Sequence, residues 1–399
     1  MAEEVWMLQT KKADFKQIGA RFRIDPVTAR IIRNRGIEGE AAIDRYLNGT
    51  LDDLYDPMLL KDMERAVSIL CEAVDTGKKI RIVGDYDIDG VCSTYILLQA
   101  FERLGSDVDF EIPDRIKDGY GINESIIEQA HADGVEVILT CDNGISAFHQ
   151  VELAKKYGMM VVITDHHEVP LDGEKEKIPP ADAVIDPKQA DCPYPFPEIC
   201  GAVVAYKLVQ VLYARRGVPQ MEWLDLLEFA AIATVGDVMK LQDENRILVK
   251  YGLKKMAQTK NLGLRRLAEK NNLDLGAITA YHIGFVIGPC LNAGGRLKTA
   301  KEALALLRAQ SEEEAERLAE ELKELNDTRK DMTEQGTEAA KLQVESWYQK
   351  DKVLVVFLPE CHESLAGIIA GRLREYYQKP AIVLTRGEEA VKGSGRSID

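Results

Sequence analysis

The stretch Val83-Gly-Asp-Tyr-Asp-Ile-Asp-Gly-Val-Cys-Ser-Thr94 places three carboxylates, Asp85, Asp87 and Asp89, at alternate positions just where the apolar pair Ile82 and Val83 should be leaving a strand for a helix. Carboxylates that close repel one another unless a cation or several backbone N–H donors hold them. The ordinary alternative is a solvated acidic turn, and only the neighbouring segments decide between the two.

Those segments follow an α/β rhythm. The runs KIRIVGD (79–85), DVDFEIP (107–113), VEVILTCDNG (135–144) and MMVVITDHH (159–167) read as buried strands. Stretches with helical spacing separate them, at 93–105, 123–134 and 146–158. Near-continuous Val and Ile without polar alternation predicts a parallel sheet covered on both faces, whose ligands sit at the C-terminal ends of the strands. The polar residues cluster at those ends: the acidic triplet, then Thr140-Cys-Asp142-Asn-Gly144, then Thr164-Asp-His-His167. They are expected to converge on one rim of one sheet.

Asp87 and Asp89, two apart, can aim both carboxylates into one site; Asp142 adds a third, and Asp165, His166 and His167 add an acid and two imidazoles. Oxygen ligands with a minority of imidazole suit Mn²⁺ or Mg²⁺ better than a structural zinc. Five or six such ligands around shared carboxylates is what two cations about 3.5 to 4 Å apart need. Each piece also has an ordinary reading: Asp142-Asn-Gly144 is a good turn, His166 and His167 could be core histidines, and Asp165 could cap the next segment. Asp237 joins the candidates because an acid interrupting a largely apolar helix is costly unless paired or metal-bound. His131 and His149 fall on helices and His282 precedes a glycine-rich loop, so none is assigned to metal. Cys141, without an adjacent base, reads as a small buried hydrophobe.

The 399 residues suggest two or three domains. Seven cysteines without a CxxC pair point to a reducing compartment, and no signal core or run of 18 apolar residues occurs, so a cytoplasmic protein is expected. The net charge of −15 argues against a broadly basic nucleic-acid surface but not against a local basic groove. Residues 1 to about 50 carry short helical patterns and a basic cluster, Arg21, Arg23, Arg30, Arg33 and Arg35. After a proline-rich loop at 178–197 the chain turns helical. Residues 311–348 predict a long helix or helix pair, and a second strand-helix-strand unit runs into KGSGRSID (392–399), read as a glycine-rich loop without a closing strand.

Asp85-Tyr-Asp-Ile-Asp-Gly90, Thr140-Cys-Asp-Asn-Gly144 and Ile163-Thr-Asp-His-His-Glu168 together resemble the DHH phosphoesterase superfamily. The fuller series resembles the RecJ family of single-strand-specific exonucleases within it: KIRIVGDYDIDGVCST, IPDRIKDGYGIN, ITDHHEVP, AVIDPKQADCPYPF, GPCLNAGGRLKTA, HESLAGIIAGRL and KGSGRSI. The resemblance implies a helical N-terminal segment (1–55), a parallel-sheet DHH domain (56–310), a connecting long helix (311–348) and a smaller α/β DHHA1 domain (349–399). Relatives continue beyond KGSGRSI into the rest of that domain and an oligonucleotide-binding fold, so the second domain is expected to be truncated.

It also implies that Asp87, Asp89, Asp142, His166 and Asp237 hold two Mn²⁺ or Mg²⁺ ions, with Asp85 among the ligands and His167 among the catalytic groups. Asn292, Arg296, His362, Arg372, Lys392, Ser394, Gly395 and Arg396 are expected to bind substrate phosphates. Departures are Cys290 in place of an arginine, Cys200 in place of a glycine, and Cys361 and Ser364 in place of a tryptophan and a glycine. The implied activity is 5'-to-3' hydrolysis of single-stranded DNA to 5'-mononucleotides in repair and recombination, with a single-strand-binding protein and a helicase as partners. Two alternatives stay open: a DHH phosphodiesterase acting on short oligonucleotides or cyclic dinucleotides, and a non-catalytic nucleic-acid-binding scaffold of the same fold.

Overall fold

Aspartates start the first two helices: Asp14 accepts from the Gln17 amide ahead of α1 (Phe15–Phe22), and Asp25 accepts from Val27 and Thr28 ahead of α2 (Pro26–Asn34). The computed structural model describes residues 7, 9, 11–115, 119, 121–387 and 390–398; positions 116–118 and 120 of the IPDRIKDGYGIN motif lie outside them. After α3 (Glu40–Asn48) and α4 (Met63–Thr76) come β1 (Ile80–Val83), α5 (Ile88–Arg103), β2 (Val108–Glu111), α6 (Glu124–Ala132), β3 (Val137–Cys141), α7 (Phe148–Lys156) and β4 (Met160–Thr164). A small hairpin, β5 (Leu171–Asp172) and β6 (Lys175–Glu176), precedes β7 (Ala183–Ile185). Then come α8 (Gly201–Arg215), α9 (Gln220–Leu224), α10 (Leu227–Gly236), α11 (Asp243–Met256), α12 (Leu262–Lys270), α13 (Ala280–His282), α14 (Gly288–Leu297) and α15 (Lys301–Leu307). The chain ends with α16 (Glu312–Gln343), β8 (Leu354–Phe357), α17 (Ala366–Tyr377), β9 (Ala381–Arg386) and β10 (Val391–Arg396).

The main sheet has the order β2-β1-β3-β4-β7 with every pair parallel. Side chains alternate across it: Ile80, Ile82, Val137, Leu139 and Val162 join a core built with α4, α5, α8 and α10. Val83, Ile138, Val161 and Ile163 join a second core under α6 and α7. Burial on both faces is why these strands read as unbroken apolar runs. Successive strands run outward in opposite directions from the β1/β3 pair, which opens a crevice at their C-terminal ends.

Three local readings are corrected. The proline-rich loop contains β7, the fifth strand of the sheet. The glycine-rich segment after His282 is helical, a π-helical turn at Ile283–Ile287 leading into α14, because its glycines are sites of close helix packing; a Cβ on Gly295 would lie 2.4 Å from the Tyr86 carbonyl oxygen. The run from Lys392 to Arg396 lies in β10, a strand antiparallel to β9 in a second sheet of order β10-β9-β8, packed with α16 and α17 around its own core. The run at 107–113 yields β2, a half-exposed edge strand. Among the described residues no helix is long and apolar enough to cross a membrane.

One charge inside an apolar helix escaped the sequence reading. Lys207 of α8 is fully buried; its Nζ lies 3.0 Å from Glu244 Oε2 and donates to the Tyr55 carbonyl at 3.1 Å, while the Tyr194 hydroxyl donates to the other Glu244 oxygen. The network ties the N-terminal segment, α8 and α11 together. Lys207→Met should therefore cost about 3 to 5 kcal/mol, because it strands a buried carboxylate. Adding Glu244→Leu should recover most of that loss in urea unfolding; a single variant within 1 kcal/mol of the parent, on the order of a surface substitution, would show that the pair is dispensable.

Candidate metal centre

The loop after β1 answers the question its three carboxylates raise. Asp87 caps α5, its Oδ1 accepting from the Asp89 amide at 2.9 Å and the Gly90 amide at 3.1 Å. Asp89 reaches across to the first turn of α8, where the Gly201 and Ala202 amides each donate to one of its oxygens at 2.7 Å. Backbone N–H groups thus hold both Asp87 and Asp89.

Asp142 follows β3 with φ of 62°, a left-handed conformation that aspartate and asparagine tolerate in turns. Asn143, fully buried, donates to the carbonyls of Val83 and Cys141 and accepts from the Ile122 amide, so it ties the ends of β1 and β3 together. After β4, Asp165 accepts from the amides of Ile145, His166 and His167 and binds His167 Nδ1 at 2.7 Å. It caps its own turn and orients His167. His166 Nε2 lies 3.0 Å from Asp142 Oδ1, 3.4 Å from Asp89 Oδ2 and 3.9 Å from Asp237 Oδ2. Asp237 does not interrupt a helix: α10 ends at Gly236 and Asp237 is its C-cap, which delivers the carboxylate to the rim. The next residue, Val238, is 86% exposed with φ of 58°, a strained conformation for a β-branched side chain.

Three groups of ligand atoms each fall within 4.8 Å: Asp142, His166 and His167; Asp89, His166 and Asp237; Asp85, Asp87 and Asp142. The sets overlap at Asp142 and His166, so the rim residues named from the sequence come together, except Asp165, which belongs to no set. Their electrostatics show the strain of doing so. Burial, followed by the charge of Asp87, pushes Asp85 up to about 8; burial with Asp89 and Asp87 pushes Asp237 up to about 7 and raises Asp142 as well. Burial works against a charged His167, but its hydrogen bond to Asp165 together with the charges of Asp165, Asp89 and Asp237 outweighs this and lifts it to about 9. His166 is lowered, chiefly by burial.

Facing the rim is a basic wall. α14 packs on the Tyr86 carbonyl, and its Arg296 donates from Nη1 to the Ser364 carbonyl at 3.2 Å, bridging to the second unit. Burial, then Arg115 and Arg329, lowers Arg296 to about 10, still fully charged at neutral pH. Arg296, Asn292 and Arg329 line a cavity of about 110 Å³ together with Gly236, the residue before Asp237. Arg115, stacked 4.8 Å over the Tyr86 ring, and Arg329 were missed by the sequence reading. Arg329 sat in a stretch read only as a long helix, and Arg115 in a motif valued only for its likeness.

Cys290 is buried under α16: Asn326 donates to its sulfur at 3.4 Å and accepts from Arg329 Nε at 3.1 Å, so this position faces the helix that carries Arg329. The remaining phosphate candidates sit around the first turns of α17. His362 Nδ1 is 2.8 Å from Ser364 Oγ, Lys392 pairs with Glu363 at 2.8 Å, and Ser394 and Arg396 lie over Gly367. Gly395 belongs to the β10 ladder, and Arg372 is exposed on α17.

Comparison with known proteins matches this arrangement. The profile of the DHH family, N-terminal domain, matches residues 79–234. The single-stranded-DNA-specific exonuclease RecJ of Haemophilus influenzae is 35% identical over 397 residues, covering 96% of this chain and 67% of the relative. The chain belongs to the RecJ family. The RecJ exonuclease of Bacillus subtilis is 37% identical over 396 residues, 98% of this chain and 49% of that protein, so the chain spans about half of that relative's length. The structure of Thermus thermophilus RecJ in complex with Mn²⁺ superposes with a TM-score of 0.80 at 30% identity, covering 96% of this chain and 53% of that one. The α/β fold with its parallel sheet and smaller second sheet is the RecJ fold.

Proposed function

We propose that this chain hydrolyses single-stranded DNA from its 5' end to 5'-mononucleotides, with two Mn²⁺ or Mg²⁺ ions as cofactors. The observation that carries the reading is the trio of ligand sets overlapping at Asp142 and His166 on the crevice of a parallel sheet. The donor set is carboxylate-rich with a minority of imidazole, which suits hard divalent cations. Asp85, Asp87, Asp89, Asp142, His166 and Asp237 are the residues that would hold them. Such a pair of cations, when bound, supplies Lewis acidity toward a scissile phosphate and makes water more acidic.

The chain's own groups supply the rest. Asp165 orients His167 and keeps its imidazole ready to hold or release a proton at the rim. Arg296, with Arg115 and Arg329, presents guanidinium forks suited to phosphate oxygens. His362, Arg372, Lys392, Ser394, Gly395 and Arg396 extend the phosphate contacts onto the second unit. The 5' polarity, a role in DNA repair and recombination, a single-strand-binding protein and a helicase as partners, and a cytoplasmic setting follow from the likeness to RecJ exonucleases and belong to the same proposal.

The test is a single strand of 20 nucleotides labelled at either end, incubated with Mn²⁺. Mononucleotide should leave the 5' end first, and a blunt duplex should resist. Release from the 3' end, or faster cleavage of a dinucleotide than of the 20-mer, would favour an oligonucleotide phosphodiesterase. A protein inert with every divalent ion would leave only a binding role.

A further inference from the structure

The N-terminal helices carry a charge pattern that the metal centre does not use. Between residues 11 and 35 stand eight lysines and arginines against two aspartates, in a chain whose net charge is −15. Both aspartates are occupied as helix caps. Arg21 and Arg33 pair with Glu40 and Glu38, but among the described residues Lys12, Lys16, Arg23, Arg30 and Arg35 are in no ion pair. Three of these cations converge. Lys12, Lys16 and Arg30, with Phe15, Pro26 and the capping Asp14, line an open groove of about 690 Å³ between the start of α1 and the start of α2, and the Arg30 guanidinium stacks 4.4 Å from the Phe15 ring centre.

The groove is tied to the metal centre. The Arg35 carbonyl at the end of α2 accepts from Gln242 Nε2 at 2.7 Å, and Gln242 lies five residues beyond Asp237. Arg45 and Tyr46 of α3 hold Asp243 and Arg246 at the start of α11. Five residues span at most about 18 Å, and the length of α2 adds about 14 Å. The groove therefore lies within roughly 35 Å of the rim, a distance that about ten nucleotides at 3.4 Å each can cover.

We propose that this groove is a second contact for the backbone of a single-stranded nucleic acid whose end is at the metal centre. Lys12 and Lys16 neutralise phosphates, and the Phe15–Arg30 stack offers a platform to a base. A basic groove with an interleaved aromatic is what a sequence-independent strand contact requires, and its tether to the rim favours nucleic acid over a lipid surface. That the strand's end lies at the rim rests on the function proposed above; the groove's affinity for a strand does not.

The double variant Lys12→Ala/Lys16→Ala removes two exposed charges and no cap or core packing. Binding of a fluorescein-labelled 20-nucleotide strand, of a trinucleotide and of phosphatidylserine vesicles is measured in EDTA between 50 and 200 mM KCl, alongside cleavage of both strands in Mn²⁺. For the 20-mer, the slope of log K against log[salt] should become shallower by about 1.4, at about 0.7 for each phosphate that the variant no longer neutralises. Trinucleotide binding and cleavage should stay unchanged. An unaltered 20-mer slope overturns the proposal, as does an equal weakening for the trinucleotide, or a weakening confined to binding of phosphatidylserine vesicles. If the parent protein cleaves neither strand, the nuclease reading fails while the slope still decides the groove.

Discussion

Asp142→Asn is expected to lower hydrolysis of a single strand in Mn²⁺ by at least about a thousandfold, roughly 4 kcal/mol of transition-state stabilisation, while leaving the metal-free fold intact or more stable. Asp142 belongs to two of the three ligand sets, so neutralising it weakens both proposed cation positions at once. The backbone should accept the change, because φ is 62° at this position and asparagine tolerates the left-handed region as well as aspartate does. The side chain keeps an oxygen for His166. Removing the charge also relieves the repulsion from Asp89, Asp87 and Asp85 that, after burial, raises the Asp142 carboxyl. Asp89→Ala is the poorer test, since it would also strip the Gly201 and Ala202 amides of their acceptor at the start of α8. Activity within tenfold of the parent, with Mn²⁺ saturating, would take Asp142 out of the ligand set.

Without divalent cations, the protein should lose stability as pH rises from 5 to 9, and Mn²⁺ should restore more of it at pH 8.5 than at pH 5.5. Asp85 and Asp237 are raised to about 8 and about 7, so the folded state binds protons that the unfolded chain has already released above the ordinary carboxylate range. Their contribution is fully present near pH 4 and is lost as pH rises through those values. His167, raised to about 9, acts in the same direction between its ordinary value and about 9. Asp165, held low despite its burial by the hydrogen bond and charge of His167, acts with the opposite sign only below pH 4, and His166, lowered by burial, offsets part of the loss only below its ordinary value of 6.5. Cations that bind only the folded state at 1,000 times their dissociation constant add about 4 kcal/mol. Melting curves with EDTA and with Mn²⁺ at the two pH values check this. A flat metal-free profile, or equal Mn²⁺ shifts at both, would mean that the carboxylates are not held in mutual repulsion.

Much of the centre was legible because strands and their ends are local features. Apolar runs of four or five residues mark β1, β3 and β4, and each breaks into Asp, Asn or His at the same end, which a parallel sheet must bring to one rim. The carboxylate chemistry of that rim, and with it the preference for hard cations, is a matter of residue type and spacing. β7 and β10 were not legible: one is three residues inside a proline-rich stretch, the other is rich in glycine, and each is a strand only because a neighbouring strand offers it a ladder.

Residue identities and short-range period thus determined four of the five strands of the main sheet, the metal-ligand candidates and the long helix α16. Tertiary packing decided everything that depends on two distant segments meeting. It seats Asp89 on the amides of α8, more than a hundred positions away, and turns Asp237 from an acid within a helix into a cap at the rim. It also gathers Arg115, Arg296 and Arg329 from a loop and two helices into one wall. The physical reason is that a side chain's type is written at its own position, whereas its neighbours, and so its field and its hydrogen bonds, are set by how helices cross a sheet that burial closes around them.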